Sequence, residues 1–167
     1  MYLIDTNTLI DAKNRYYHFD ICPGFWKAIL TNNNIKTIEM VIQEIKDGKD
    51  ELKDWIIENE QIIKTKLIEI DNKIQQNFIE IADYVENNLK LPPISEKERF
   101  LSKADPWLIA TAKEYDYTVV TQEQFINDSK TKKIKIPNIC TCFNVKYISL
   151  FDLLKQENIQ FCLKDDE

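Results

Sequence analysis

Short β-rich runs alternate with amphipathic helical patterns along this sequence, and that alternation limits the fold more than any other feature. Runs rich in β-branched and aromatic residues predict strands at residues 2–4, 35–38 and 117–121, with two further candidates at 134–136 and 145–148. Strands separated by helices are typical of crossover connections between parallel strands. The sequence therefore predicts an α/β fold, a three-layer domain with a mainly parallel central sheet.

Helices are predicted between these strands. Val41, Ile42 and Ile45 share one face of a helix that ends near Gly48. The segment of about 50–90 has no strand pattern, so we predict a helical insertion after the second strand. Its last part carries an apolar stripe at spacings of three and four, formed by Ile70, Ile74, Phe78, Ile81, Ala82, Val85 and Leu89. Such a stripe fits either core packing or the contact surface of a dimer or another partner.

Prolines mark the boundaries of the later helices. Pro92 and Pro93 end the long helix, and the charged stretch 94–103 after them is predicted to be a loop. Asp105 followed by Pro106 is typical of an N-cap and a first-turn proline, so a helix is predicted to start there. Apolar residues within 151–154 predict a C-terminal helix.

The chain has 167 residues, of which 44% are apolar, and can therefore bury a core as a single domain spanning 1–167. No run approaches the roughly 18 apolar residues of a membrane span. Asp5 interrupts the first apolar run before a signal pattern can form. We therefore expect a cytoplasmic protein without a membrane partner.

The scarcity of certain residues excludes several kinds of site. Gly24 and Gly48 are the only glycines, which excludes P-loop and dinucleotide-binding folds. The four cysteines contain no Cys-x-x-Cys pair, and the single histidine, His18, cannot complete a conventional zinc set with them. The chain also lacks a Gly-x-Ser-x-Gly motif. We expect the cysteines to be reduced thiols.

The net charge of −6, from 28 acidic and 22 basic residues, argues against a uniformly basic surface for nucleic acid. It does not exclude a nuclease, because carboxylates that hold a divalent ion carry their charge when the ion is absent. Bases cluster at 97–103 and at 130–135. These clusters fit either solvated faces or a surface for an anionic partner.

Acidic residues follow predicted strands and begin one helix. Asp5 comes after the first strand, Glu123 after a later one and Asp105 at a helix start, so all three are expected at the carboxyl edge of the sheet. Glu44 flanks the buried face of the helix after the second strand. Asp5 is the strongest single candidate, because a charge beside a buried strand is costly without a partner. Taken singly, Asp105 fits an N-cap, and the two glutamates fit surface positions.

Four acids gathered without bases would repel one another unless a cation lay among them. Oxygen ligands of this kind suit Mg²⁺ or Mn²⁺. Such an ion can lower the pKa of a water and neutralise charge on a phosphate, so phosphodiester hydrolysis needs no histidine. The nearest rival is a phosphatase of the haloacid-dehalogenase type, which places a second aspartate two residues after the first. Asn7 occupies that position here and disfavours that chemistry.

Four motifs carry a family resemblance. They are LIDTN at 3–7, Glu44 within VIQEI at 41–45, Asp105 at a helix start, and VVT at 119–121 before an acid. In their order and spacing they resemble the PIN-domain family of metal-dependent nucleases, as found in VapC-like toxins of bacterial toxin-antitoxin systems. The segments at 13–17, 19–26 and 136–140 look like an uncharacterised bacterial branch of that family.

The resemblance implies a metal site. By it, Asp5, Glu44 and Asp105 would be the core metal-binding acids, with Glu123 as the fourth. Many PIN domains carry aspartate at the fourth position. The additional methylene of Glu123 therefore implies a carboxylate that either lies farther from the ion or reaches it through a water.

The same resemblance implies an activity. Asn7 would orient Asp5 or a metal-bound water, and Thr121 would hydrogen-bond within the site. The protein would be a Mg²⁺- or Mn²⁺-dependent endoribonuclease, the toxin of a toxin-antitoxin pair, with RNA as substrate and an antitoxin protein as partner. A homodimer is compatible with it. Two alternatives stay open, namely a catalytically inactive PIN-like binding module and a metal-dependent DNA nuclease.

Basic residues close to these acids in sequence order are the candidates for holding the RNA: Lys13, Arg15, Lys97, Arg99 and Lys103. The segment 13–26 also carries aromatic residues, namely Tyr16, Tyr17, Phe19, Phe25 and Trp26. These rings fit either the stacking of unpaired bases or core packing. The sequence does not select between the two.

Overall fold

The computed structural model describes residues 1–127 and 130–162, and these contain one five-stranded sheet. Its strands are β1 (Tyr2–Ile4), β2 (Ile35–Ile38), β3 (Leu67–Ile68), β4 (Thr118–Val120) and β5 (Tyr147–Ile148). They lie in the order β3-β2-β1-β4-β5, and every neighbouring pair is parallel. The predicted α/β fold with a parallel central sheet is confirmed.

The central strand, β1, determines where a ligand can bind. Tyr2 pairs with Ile35 of β2 on one side and with Thr118 of β4 on the other, and Leu3 is fully buried. The chain runs outward from β1 to β2 and β3, and then crosses back to β4 and β5. The direction of the connections therefore reverses between β1 and β4. Ligands of open parallel sheets bind at such a reversal, outside the carboxyl ends of the strands.

Helices flank the sheet. The connections of the β1-β2-β3 half contain α1 (Thr6–Asp11) with a π-helical turn (Ala12–Tyr16), α2 (Pro23–Thr31), α3 (Glu39–Lys46), α4 (Glu51–Glu58) and α5 (Glu60–Lys64). The rest of the chain contains α6 (Asn72–Asn87), α7 (Ile94–Leu101), α8 (Ala104–Tyr115), α9 (Ile136–Cys142) and α10 (Leu150–Gln156). The predicted helices after β2 and at the C-terminal end are α3 and α10. Within the described ranges, no helix combines the length and apolar character needed to cross a bilayer.

The apolar stripe predicted before residue 90 is core packing. Ile74, Ile81 and Val85 of α6 are completely buried, and α6 packs along α8. Phe78 stacks on Trp107 of α8 with 3.9 Å between the ring centroids. The alternative interpretation of this stripe as a partner surface is therefore wrong. The helix is also shorter than the stripe that predicted it: the stripe runs from Ile70 to Leu89, whereas α6 covers Asn72–Asn87.

Two predictions for the segment between β2 and α8 are wrong. Residues 50–89 are not all helical, because Leu67 and Ile68 form the edge strand beside β2. Two residues are too few to give the alternation by which a strand is recognised. The charged stretch that was expected to be a loop is α7, which Phe100 anchors in the core and in which Arg99 pairs with Glu96. Its lysine, arginine and two glutamates are good helix formers.

Two further predictions are wrong at helix starts. Residues 134–136 are not a strand, because Pro137 lies in the first turn of α9 and proline has no N–H for a sheet ladder. Asp105 is not the N-cap of α8, because Lys103 holds that position and the helix begins at Ala104. Asp105 is thereby placed in the first turn, where the helix dipole favours a negative charge.

Candidate active site

Asp5 lies at the reversal point, directly after β1, and is only 1% exposed. It is the N-cap of α1, and its Oδ1 accepts a hydrogen bond from the backbone N–H of Asn7 at 3.3 Å. Thr121 follows β4, and its hydroxyl donates to Oδ2 of Asp5 at 3.3 Å. The ends of the two central strands are therefore linked through this one carboxylate.

The electrostatics of Asp5 oppose its ionisation. Burial raises the pKa of Asp5 well above its usual value, and the negative charges of Asp105 and Glu123 raise it further. The bonds from Asn7 and Thr121 lower the pKa but do not outweigh these effects. A nearby positive charge would stabilise the ionised form.

Asp105 belongs to the same electrostatic cluster. Burial, and then the charges of Glu123 and Glu44, raise its pKa to about 7. Arg99 and Lys103 oppose that shift with their positive charges. Asp5 after β1 and Asp105 on α8 thus share one poorly solvated region, in which the charge of Asp105 raises the pKa of Asp5.

Glu44 connects two helix starts. Its Oε2 accepts a hydrogen bond from the hydroxyl of Thr6 at 2.7 Å, and its Oε1 accepts one from the backbone N–H of Ala104 at 2.9 Å. The Nζ of Lys103 lies 3.9 Å from Oε1. The carboxylate of α3 therefore holds the beginning of α1 against the beginning of α8, one residue before Asp105.

Glu123 is occupied by other parts of the protein. Its Oε1 lies 2.8 Å from the Nζ of Lys135, and its Oε2 accepts from the backbone N–H of Ile136 at 2.8 Å. Its own N–H donates to the hydroxyl of Thr121 at 3.2 Å. Glu123 thereby holds the start of α9 in place. Its negative charge also raises the pKa values of Asp5 and Asp105.

The four acids gather at one edge of the sheet, but they do not form a closed set of ligands. Within 1–127 and 130–162, no three His, Cys, Asp or Glu side chains are arranged to hold a metal ion. Glu44 and Glu123 are committed to hydrogen bonds with the protein, whereas Asp5 and Asp105 form the electrostatically strained pair. Mg²⁺ is commonly held by one or two carboxylates and several waters. The pair of aspartates fits that kind of ion, whereas a cage of four carboxylates is not present.

The two predicted helper residues take specific places. The backbone N–H of Asn7, rather than its side chain, contacts Asp5, and the side chain is exposed. Thr121 is buried and contacts both Asp5 and the backbone of Glu123. Its hydroxyl therefore links the segment after β4 to the buried Asp5.

The five predicted basic residues are divided by the structure. The positive charges of Arg99 and Lys103 lower the pKa of Asp105. Arg99 is also bound to Glu96 through two hydrogen bonds. Lys97 instead donates to the carbonyl oxygen of Glu86 near the end of α6. The remaining two are paired outside the acid cluster, Lys13 with Asp50 at 3.0 Å and Arg15 with Asp11 at 3.2 Å.

Lys135 is the cation at the site that the sequence did not single out. It precedes α9, and it is the direct partner of Glu123. The only sequence signal was the basic run at 130–135, and nothing in that run distinguishes one lysine from the others. The pairing depends on how the chain returns to the sheet edge after β4.

The aromatic residues of 13–26 are mostly packed into the protein. Phe25 and Trp26 are buried, Tyr17 stacks on Phe25 with 4.2 Å between centroids, and Phe19 stacks on Trp26 at the same separation. The indole N–H of Trp26 donates to the carbonyl oxygen of Tyr17 at 2.7 Å. Of the two interpretations, core packing describes these four rings.

A cleft of about 410 Å³ lies beside the acid cluster, and of the four acids Glu123 lines it. Its walls are Asn7 and Asp11 of α1, residues 122–124 and Ile126 of the segment after β4, and Lys135. Asp11 is paired with Arg15, which does not itself line the cleft. The cleft thus combines two ion-paired carboxylates, Asp11 and Glu123, with a partly exposed lysine that suits a phosphate-containing ligand.

Comparison with known proteins supports the fold and identifies a family. A chain of the crystal structure of VapBC2 from Rickettsia felis, bound to a DNA fragment from their promoter, superposes with a TM-score of 0.50. The two chains share 18% sequence identity, and the alignment covers 89% of this chain and 97% of the other. No curated protein matches the chain. A family model matches residues 2–161, and the chain therefore belongs to DUF4411, a domain family of unknown function.

Proposed function

We propose that this protein is a metal-dependent nuclease that hydrolyses RNA phosphodiester bonds. The observation that carries the proposal is the buried pair of Asp5 and Asp105 at the reversal point of the sheet, with the pKa of each raised by burial and by neighbouring acids. Retaining two such acids costs stability unless a cation uses them. Their oxygen chemistry suits Mg²⁺ or Mn²⁺.

In this proposal Asp5 and Asp105 hold the ion. When bound, a divalent ion supplies an activated water and neutralises charge that develops on the phosphate. The N–H of Asn7 and the hydroxyl of Thr121 fix the two oxygens of Asp5. Glu44 fixes the first turn of α8, which carries Asp105, through the N–H of Ala104.

Positive charges at the cleft would hold the nucleic-acid backbone. Lys135 lines the cleft, and Arg99 and Lys103 act on Asp105 from the α7 side. Lys135 is 23% exposed in its side chain, so its ammonium group can reach a phosphate while it contacts Glu123. Glu123 acts in this scheme as a positioning residue for Lys135 and α9, in place of a direct metal ligand.

We further propose that the protein is the toxin of a toxin-antitoxin pair, acting in the cytoplasm with an antitoxin protein as its partner. The structural likeness to a chain of a VapBC2 complex supports this assignment at the level of the fold. A homodimer is part of the same proposal. Adding the product of an adjacent gene in increasing molar ratio tests it, because an antitoxin should abolish cleavage near a fixed stoichiometry.

A non-catalytic binding module is the second candidate. One observation favours it, which is that Glu44 and Glu123 are both occupied by hydrogen bonds to the protein. Under this alternative the acids serve the fold, and added metal changes neither stability nor cleavage. A metal-dependent DNA nuclease is the other alternative and is tested in the same assay.

The decisive experiment is a cleavage assay with end-labelled single-stranded RNA, hairpin RNA and single-stranded DNA of one sequence, in Mn²⁺ or in EDTA. We expect RNA cleavage in Mn²⁺ only, and a loss of at least a hundredfold in Asp5→Asn and Asp105→Asn. Asp116→Asn is the matched control, because Asp116 is exposed and pairs with Lys146 at the opposite end of β4. Equal cleavage by wild type and Asp5→Asn would refute the mechanism, and cleavage of DNA alone would correct the substrate.

A further inference from the structure

A second cleft adjoins the candidate active site at the carboxyl ends of β4 and β5. It measures about 310 Å³, and Thr121, Glu123 and Gln124 form the wall nearest the acid cluster. Glu123 and Gln124 also line the first cleft, so the two spaces lie on either side of this short segment. A ligand that is cut at the acid cluster can therefore extend into the second cleft without leaving the protein surface.

Two aromatic side chains line the second cleft and remain open to solvent. Phe125 is 53% exposed and Tyr147 is 36% exposed. In the described part of the chain, neither ring forms a pair with another aromatic ring, whereas the similarly exposed Tyr16 and Phe151 pack against each other with 5.4 Å between centroids. Phe125 and Tyr147 thus offer flat apolar surfaces that the fold leaves without an aromatic partner.

The polar groups of this cleft suit a base better than a phosphate. Asp152 contributes a carboxylate, whose Oδ2 accepts from Ser149 in the cap of α10; its negative charge repels an anion but accepts hydrogen bonds from ring N–H and exocyclic amino groups. Glu123, on the other wall, is already paired with Lys135. Gln124 adds an amide that both donates and accepts, whereas the hydroxyl of Ser149 is engaged with Asp152 in the cap of α10. Aromatic faces combined with such edges are the means by which proteins hold unpaired bases.

We infer that the second cleft binds an unpaired nucleobase next to the phosphate that is cut, with the base stacked on Phe125 and Tyr147. The inference rests on the proposed nuclease function and narrows it to single-stranded substrates. A duplex keeps its bases stacked on one another and cannot place one against these rings without opening. The first cleft, with Lys135, holds the backbone, and the second holds the base.

The test uses binding rather than cleavage, in the Asp5→Asn background, so that it does not depend on catalysis. Single-stranded oligonucleotides of RNA and of DNA carry one 2-aminopurine, whose fluorescence is quenched when the base stacks on an aromatic ring. We expect quenching at one position of the strand, and about tenfold weaker binding when that position is abasic. Phe125→Leu and Tyr147→Leu should each remove most of the quenching, and Phe125→Tyr should restore it.

Phe151→Leu is the matched control, because Phe151 is 42% exposed and does not line the cleft. Unchanged quenching in both cleft variants, or equal affinity for duplex and single strand, would overturn the inference. If the oligonucleotides bind with quenching but the wild-type protein cuts none of them, the base site stands and the proposed nuclease function fails. If the wild type cuts and the cleft variants bind like the parent, the nuclease stands and the base site fails.

Discussion

The Nζ of Lys135 lies 2.8 Å from Oε1 of Glu123, and this ion pair sets the boundary between the two clefts at the sheet edge. The pair is partly buried, with side-chain exposures of 23% and 19%. Glu123, which the sequence suggested as a fourth metal ligand, is therefore ion-paired with a lysine. The same lysine is available to a phosphate, because it lines the cleft.

Lys135→Gln tests the role of this cation in substrate binding. We expect weaker binding of single-stranded RNA regardless of its sequence, because the lost contact is to a phosphate. The slope of log affinity against log salt concentration should fall by about 0.7 for the lost contact. Titrations at several salt concentrations measure it. Lys132→Gln is the matched control, since Lys132 is exposed and does not line the cleft, and an identical slope in both variants would exclude Lys135 from the backbone contact.

Asp105→Asn should change how the stability of the metal-free protein depends on pH. The folded-state pKa of Asp105 is about 7, above the ordinary value of 3.8, so folding favours the protonated form. The free energy of unfolding that Asp105 contributes is fully present at low pH and declines as the pH rises from about 4 to about 7. Above that range the folded state is less stable than it is at low pH. We expect the variant to be more stable than wild type at pH 8 and similar at pH 4, in EDTA. Asp5 keeps some dependence in both proteins, since its pKa is raised as well. A steeper pH dependence in the variant would contradict this assignment.

Mn²⁺ should stabilise the folded protein through the same two aspartates. A ligand at a hundred times its Kd adds roughly 2.7 kcal/mol to the free energy of unfolding. We expect a Tm that rises with Mn²⁺ in wild type at pH 7.5 and stays constant in Asp5→Asn and in Asp105→Asn. Thermal unfolding over a series of Mn²⁺ concentrations measures it. Ca²⁺ and Mg²⁺ series show whether the site discriminates among hard ions, and an equal rise in all three proteins would place the ion elsewhere.

Two substitutions of Glu44 should distinguish the stability that its hydrogen bonds provide from the stability that its charge provides. Glu44→Ala removes the acceptor for both the Thr6 hydroxyl and the Ala104 N–H, and each buried donor left without a partner costs roughly 1–3 kcal/mol. Glu44→Gln keeps one oxygen for the Ala104 N–H and offers its NH₂ to the Thr6 hydroxyl, which can accept instead of donating, so we expect stability within about 1 kcal/mol of wild type without the charge. Urea unfolding of both variants measures the difference. Equal destabilisation by both would mean that the charge, rather than the hydrogen bonds, holds the helix starts together.

The sequence predicted the elements whose local pattern is strong. β1 is apolar and β2 is rich in β-branched residues, so their composition placed them, whereas the regular apolar stripe of α6 placed that helix by its periodicity. β3 was missed because two residues give no periodicity, and α7 was missed because its single buried anchor, Phe100, gives no stripe. A local sequence pattern predicts a buried face only when several residues of the element are buried on that face.

The candidate site was predicted in outline and not in its connections. Placing Asp5 and Asp105 at one sheet edge required only the expectation that parallel strands end together. The partners of Glu44 and Glu123 lie in other elements, Ala104 on α8 and Lys135 before α9, and no local pattern specifies such contacts. The stacking role proposed for 13–26 could not be decided from sequence, because a ring suited to a base is equally suited to a core.

The pairing of β1 with β4 also dictates when the site can exist during synthesis. Asp5 is made well before its hydroxyl partner Thr121, which follows 116 residues later in the chain. Nascent chains emerge at about 5–20 residues per second, so several seconds pass in which the first strand has no neighbour on that side. A growing chain therefore cannot assemble the complete acid cluster until the segment after β4 has been translated.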